Sequence, residues 1–164
     1  MRPWGDPAGG AHRTVTLVVV WLHVGAVVAW VGGVLYQSVA LWPMARGPHA
    51  RTAVDLARRG RPLSWTAVSL VVLTGFYNVT RLGPLPEVIE SGVALILAGK
   101  FVLVIAAVAL AGQRDFNQLA RARGLLDEGR DPAPALRAIA WLDGIVLALA
   151  AIIIYLGLAL SRAH

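Results

Sequence analysis

The sequence predicts an all-α, polytopic membrane protein: a single bundle of four transmembrane helices with both termini outside. Three observations carry this reading. The 164 residues are 57% hydrophobic and 15% charged, with a mean hydropathy of +0.66, whereas a soluble domain carries about 25% charged residues. The apolar residues gather into four long runs, Thr14–Leu41, Leu63–Val79, Val93–Ala111 and Ile139–Leu160. Each run meets or approaches the roughly 20 residues a helix needs to cross about 30 Å of hydrocarbon. The arginines collect in the connections between the runs.

Taken in order, residues 1–14 read as a Gly/Pro-rich tail and residues 15–162 as one membrane domain. Its spans are expected near 15–43, 62–82, 88–113 and 137–161, with long connections at 44–61 and 114–136. The first run far exceeds the 7–15 apolar residues of a cleavable signal, so span 1 is expected to be retained. Pro43 and Pro48 end or kink it, because proline lacks the donor a continuing helix needs. Between these prolines and Pro62, the segment Arg51–Arg59 is expected to form a short surface helix. Gly83-Pro84-Leu85-Pro86 predicts a tight turn between spans 2 and 3. Asp115–Arg123 is expected to continue span 3 beyond the bilayer, and Gly129 to Pro134 to break the helix before span 4.

The arginines orient the bundle. Connections 1–2 and 3–4 hold Arg46, Arg51, Arg58, Arg59 and Arg61, and Arg114, Arg121, Arg123, Arg130 and Arg137, giving 5 + 5 = 10 positive residues on one side. Arg2, Arg13, Arg81 and Arg162 give four on the other. Positive residues in short loops mark the cytoplasmic face, so both long connections are expected there. Trp42, Trp65 and Trp141 fall at that same boundary, the level tryptophan favours. The net charge of +6 and pI near 11 are explained by this topology, and no nucleic-acid partner is expected; the partner is the lipid bilayer. The chain has no cysteine, which excludes disulfides, CxxC redox pairs and thiolate metal sites.

Polar side chains at membrane depth are costly and therefore point to function. His23, Trp30 and Gln37 recur every seven residues along one face of span 1. Another face carries Gly25, Ala29 and Gly33, a small-residue ridge along which a second helix, from a homo-oligomer or a larger complex, could approach. His23 is open to two readings, a ligand or proton-handling role and a hydrogen bond to a neighbouring helix. Lys100 sits near the middle of span 3, too deep for easy snorkelling. Its candidate partners are Glu90, an acidic ligand, or a polar cluster with Thr74 and Asn78. If spans 1 and 3 both start outside, His23 and Lys100 lie at comparable depth. Thr74, Asn78 and Arg81 make an i, i+4, i+7 stripe on span 2, which either lines a cavity facing His23 or bonds to neighbouring helices. Asp143, about two turns into span 4, is expected to pair with Arg137 or Arg61.

Two cofactors are compatible with this inventory. Cu(I) favours Cys and Met, and the chain offers only Met1 and Met44, with His12, His23, His49 and His164 as its imidazoles. A self-contained copper conduit is therefore poorly supplied, although two protomers could each give one histidine. Haem b needs only one axial His and a cation for a propionate.

The stretch Trp21-Leu22-His23-Val24-Gly25-Ala26, running into Ala29-Trp30-Val31-Gly32-Gly33, resembles the opening helix of the copper resistance D (CopD) membrane family. Leu73-Thr74-Gly75 resembles its second span, and Gly99-Lys100-Phe101 with Arg114-Asp115-Phe116 its third. Gln113 stands where that family's pattern has a histidine. The resemblance implies a multi-pass inner-membrane protein of copper import or tolerance, with His23 the candidate metal ligand. His23, Trp30, Gly33, Leu35-Tyr36 and Lys100 are also similar to the HemJ-type membrane protoporphyrinogen oxidases. That second resemblance implies haem b, with His23 axial and Lys100, Trp30, Asn78 and Arg81 around the cofactor; the Pro-Arg and His that follow in that family's first helix are replaced by Gln37 to Met44. Whether the protein is an enzyme is left open, and a non-catalytic accessory subunit of a larger membrane complex is the third reading.

Overall fold

All four spans form in the computed structural model, which describes residues 7–80 and 93–162, with side chains for 13–80 and 94–159. Span 1 comprises α1 (Pro7–Tyr36), a π-helical turn π1 (Gln37–Leu41) and a short α2 (Trp42–Met44). Span 2 is α3 (Ala50–Val79). Span 3 joins α4 (Val93–Gly112), π2 (Gln113–Gln118) and α5 (Leu119–Asp127). Span 4 is α6 (Ala133–Arg162). Four helical stretches, Arg13–Met44, Ala50–Val79, Ala94–Asp127 and Ala133–Ala159, are long and apolar enough to cross a bilayer. At 1.5 Å per residue the 30 residues of α3 extend about 45 Å, beyond the hydrocarbon. The expected turn at Gly83–Pro86, together with Arg81 and Glu90, lies outside the described residues.

One expectation about the connections is corrected. Arg51–Arg59 is not a separate surface helix: it is the first part of α3, which runs straight through Pro62. The missing Pro62 N–H leaves the Arg58 carbonyl without its helical donor, but both residues are exposed, so solvent or headgroups satisfy that carbonyl. Span 1 ends at Met44, between Pro43 and Pro48, as its prolines predict. The Trp42 N–H reaches back to the Gln37 carbonyl across the wide π turn, and Pro43 then occupies the first turn of α2, where no N–H is required. Turn residues follow from Ala45 to His49. The continuation of span 3 past Asp115 holds, and the break before span 4 falls where expected, with Gly129 at φ +67°, a conformation glycine adopts without strain.

The bundle is two close hairpins, α1 against α3 and α4 against α6, with fewer contacts from α1 to α6. Its buried residues form two clusters. One, at the arginine-rich end, packs Leu41, Trp42, Val54, Leu119, Leu136 and Ile139. The other, nearer the middle, joins Trp30, Val34, Val68, Ala107 and Val146 from all four spans. Elsewhere large apolar side chains point outward, Trp21, Leu95 and Trp141 among them. A soluble protein would bury such residues; in a bilayer they face acyl chains.

Candidate functional site

The imidazole of span 1 is held by span 2. His23 Nδ1 lies 2.8 Å from Thr74 Oγ1. The Thr74 hydroxyl has a single proton, and it is donated to the Leu70 carbonyl one turn back on the same helix. With the hydroxyl proton on the Leu70 carbonyl, Nδ1–H is the donor to Oγ1. The neutral ring then keeps its lone pair on Nε2. This is how a metal-binding histidine is commonly arranged, with one nitrogen fixing tautomer and orientation and the other left for the metal. Gly75 makes the approach possible, since a Cβ there would stand 3.3 Å from His23 Cε1. Thr74 is buried and His23 half-buried.

Lys100 arrives from span 3. Its ammonium rests against span 4 at Gly157, where a Cβ would lie 3.5 Å from Nζ. Its charge acts on His23 through space. No salt bridge among the described residues includes Lys100. Trp30, seven residues along span 1, does not join them; it is buried in the central apolar cluster, and its indole N–H has no hydrogen-bond partner. Asn78 is half-buried one turn beyond Thr74, and Arg81 is outside the described residues. Among the described residues no helix packs onto the ridge of Gly25, Ala29 and Gly33: a Cβ on either glycine would meet nothing within 4 Å.

A second polar centre lies at the arginine-rich end, and it corrects the expected partner of Asp143. Neither Arg137 nor Arg61 reaches that carboxylate. Arg114 does, through a 2.7 Å hydrogen bond from a terminal nitrogen to Oδ1, while Arg114 Nε donates to Asp115 Oδ1 at 2.8 Å. Trp42 Nε1 donates to the remaining oxygen of Asp143 at 2.6 Å, and Trp65 Nε1 to that of Asp115 at 2.9 Å. Arg114, Asp115 and Asp143 are 2%, 4% and 0% exposed. Two carboxylates facing one guanidinium leave one negative charge unbalanced, and four N–H donors on four oxygens supply the solvation that water cannot. The π turn makes this possible: an extra residue in the turn narrows the angle between neighbours, so consecutive Arg114 and Asp115 both face inward.

Arg114 is thus not a loop charge, and the count of arginines at this end falls from ten to nine against four. Trp42, buried, and Trp65, half-buried, are donors to the ion cluster, whereas Trp141 is 72% exposed. The residue missed in the sequence is Arg114, which lies at the same end of the adjacent span as Asp143, a buried acid that demands a cation.

Fold and sites together define a multi-pass membrane protein with an oriented intramembrane imidazole and an ion cluster clamping one end of its bundle. Residues 54–160, well over half of the chain, match the family model described as Copper resistance protein D. The chain belongs to that family, and it is a copper-resistance-related membrane protein. The match covers spans 2 to 4, so Thr74, Lys100, Arg114 and Asp143 lie within it, and His23 lies before it. No curated protein and no solved structure matches the chain. The HemJ-type resemblance, which leans on span 1, receives no support from these comparisons.

The donor set limits what copper chemistry the chain can do by itself. Among the described residues no group of three His, Cys, Asp or Glu is placed to hold a metal, and Met44 packs against the apolar cluster at the opposite end of span 1. His23 offers one nitrogen, which is a partial coordination sphere.

Proposed function

We propose that this chain handles copper in the plasma (inner) membrane, with copper as cargo and His23 Nε2 as the ligand it presents. The observation that carries the reading is the Nδ1–H bond to Thr74, which fixes the tautomer that leaves Nε2 free. Family membership supplies the link to copper. One imidazole holds Cu(I) weakly, since the ligands that ion prefers are soft and more than one, and a lysine within electrostatic reach opposes a second cation. Both features suit a site that passes the ion on. The remaining ligands then come from a second copy or a partner membrane protein, for which the open Gly25/Ala29/Gly33 ridge is the proposed contact. The termini face outward and the arginine-rich connections face the cytoplasm.

The test is a Cu(I) titration of detergent-purified protein against a competing chromophoric chelator. Copper bound by the native chain and lost in His23→Ala supports the reading. Equal binding by the two proteins refutes it, and a Soret band in the purified protein that vanishes with His23 replaces copper by haem b. A reporter fused after His164 that reads cytoplasmic overturns the orientation.

A further inference from the structure

At the arginine-rich end, the turn after span 1 and the start of span 4 enclose a surface groove of about 690 Å³. Its floor is apolar, built from Trp42, Leu136 and small alanines, and its rim carries Arg46, Arg137 and Trp141. We propose that this groove binds the headgroup of an anionic phospholipid, its phosphate between Arg46 and Arg137 and its glycerol region on the apolar floor.

Charge selects the occupant. Four other arginines at this end are engaged, Arg51 with Asp127, Arg123 with Asp55 and Asp127, Arg130 with Glu128, and Arg114 inside the ion cluster, and the exposed Arg58, Arg59 and Arg121 do not line the groove. Arg61 lies over the Phe116 ring. Arg46 and Arg137 are exposed and form no ion pair among the described residues, so both guanidinium forks are free for a phosphate. One acid lines the groove, Asp131, and its Oδ1 accepts from the Ala133 N–H at 2.9 Å, capping span 4. Two cations against this one capping carboxylate leave the groove positive. Depth selects a lipid over a soluble anion. Arg137 and Trp141 are one turn apart near the start of span 4, and Trp141 is 72% exposed just before that helix's long apolar run, the position of an indole at headgroup level. Basic pockets between membrane helices take anionic headgroups by this combination. The floor residue Trp42 is also the indole that donates to Asp143, so a lipid seated here rests directly on the ion cluster.

The experiment is native mass spectrometry of the intact chain released from detergent micelles containing equal phosphatidylglycerol and phosphatidylcholine. The native protein is expected to retain phosphatidylglycerol preferentially. The double variant Arg46→Gln/Arg137→Gln should lose that preference by roughly thirty-fold, about 2 kcal/mol for two guanidiniums at the membrane surface. Arg58→Gln/Arg59→Gln, which removes two exposed arginines outside the groove, should keep it. Equal retention of the two lipids by the native chain overturns the proposal, as does an equal loss in both double variants, which would mean diffuse charge attraction. Displacement of the lipid by excess inorganic phosphate also overturns it, by making a free anion the ligand.

Discussion

Replacing Arg114 by methionine keeps most of the side chain's volume and removes the guanidinium shared by Asp115 and Asp143. Each carboxylate then loses one of its two donors, Asp143 keeping only Trp42 and Asp115 only Trp65. Both acids are at most 4% exposed, so water cannot replace what is lost. Removing one partner of a buried ion pair costs about 3–5 kcal/mol, and here two anions are stranded rather than one, which places Arg114→Met at the upper end. Asp143→Asn is the informative contrast. It converts two acids and one base into a balanced Arg114–Asp115 pair and sacrifices one well-matched acceptor, at about 1–3 kcal/mol. The cation should therefore matter more than the acid it neutralises. Reversible unfolding by SDS in mixed micelles, followed by tryptophan fluorescence, gives both free energies on one scale. If Arg114→Met costs less than Asp143→Asn, or under about 1 kcal/mol, the cluster is not the clamp described.

Three further outcomes follow from the same geometry. Thr74→Val removes the acceptor that orients His23 and should weaken Cu(I) binding about 10- to 100-fold, the usual effect of losing such a partner, while His23 itself remains; the chelator competition measures it. Gly75→Ala places a Cβ 3.3 Å from His23 Cε1 and should lower Cu(I) affinity by displacing the ring, whereas Gly157→Ala, at an ordinary 3.5 Å from Lys100 Nζ, should leave it unchanged in the same assay. Trp42→Phe keeps the aromatic ring but withdraws the 2.6 Å donor to Asp143, and SDS unfolding should register about 1.5–3 kcal/mol, the range for a hydrogen bond to a charged group.

Four spans, the helical continuation of span 3 and the break around Gly129 were all legible in the sequence, because hydropathy, proline and glycine act locally. His23 and Lys100 stood out for the same reason: an ionisable side chain inside an apolar run is conspicuous without any knowledge of its neighbours. Their comparable depth followed from counting residues along spans that enter from the same side. The partner of Asp143 was not legible. Arg114 looked like one more loop arginine, and nothing in its own segment announces that a π turn rotates it inward. Trp42 and Trp65 carried a similar ambiguity, since an indole near a span end serves equally as a lipid anchor or as a buried donor.

By itself the sequence determined that this chain lives in a bilayer and crosses it four times, because transfer of long apolar runs out of water dominates every local preference. It also determined which residues pay to be there. Which of them meet depends on how the four helices pack. Thr74 holding His23 by one nitrogen, and Arg114 shared between Asp115 and Asp143, depend on helix rotation and on the pairing of spans into hairpins. Those are set by side-chain packing between segments far apart in sequence, and residue spacing along any single helix carries no record of it.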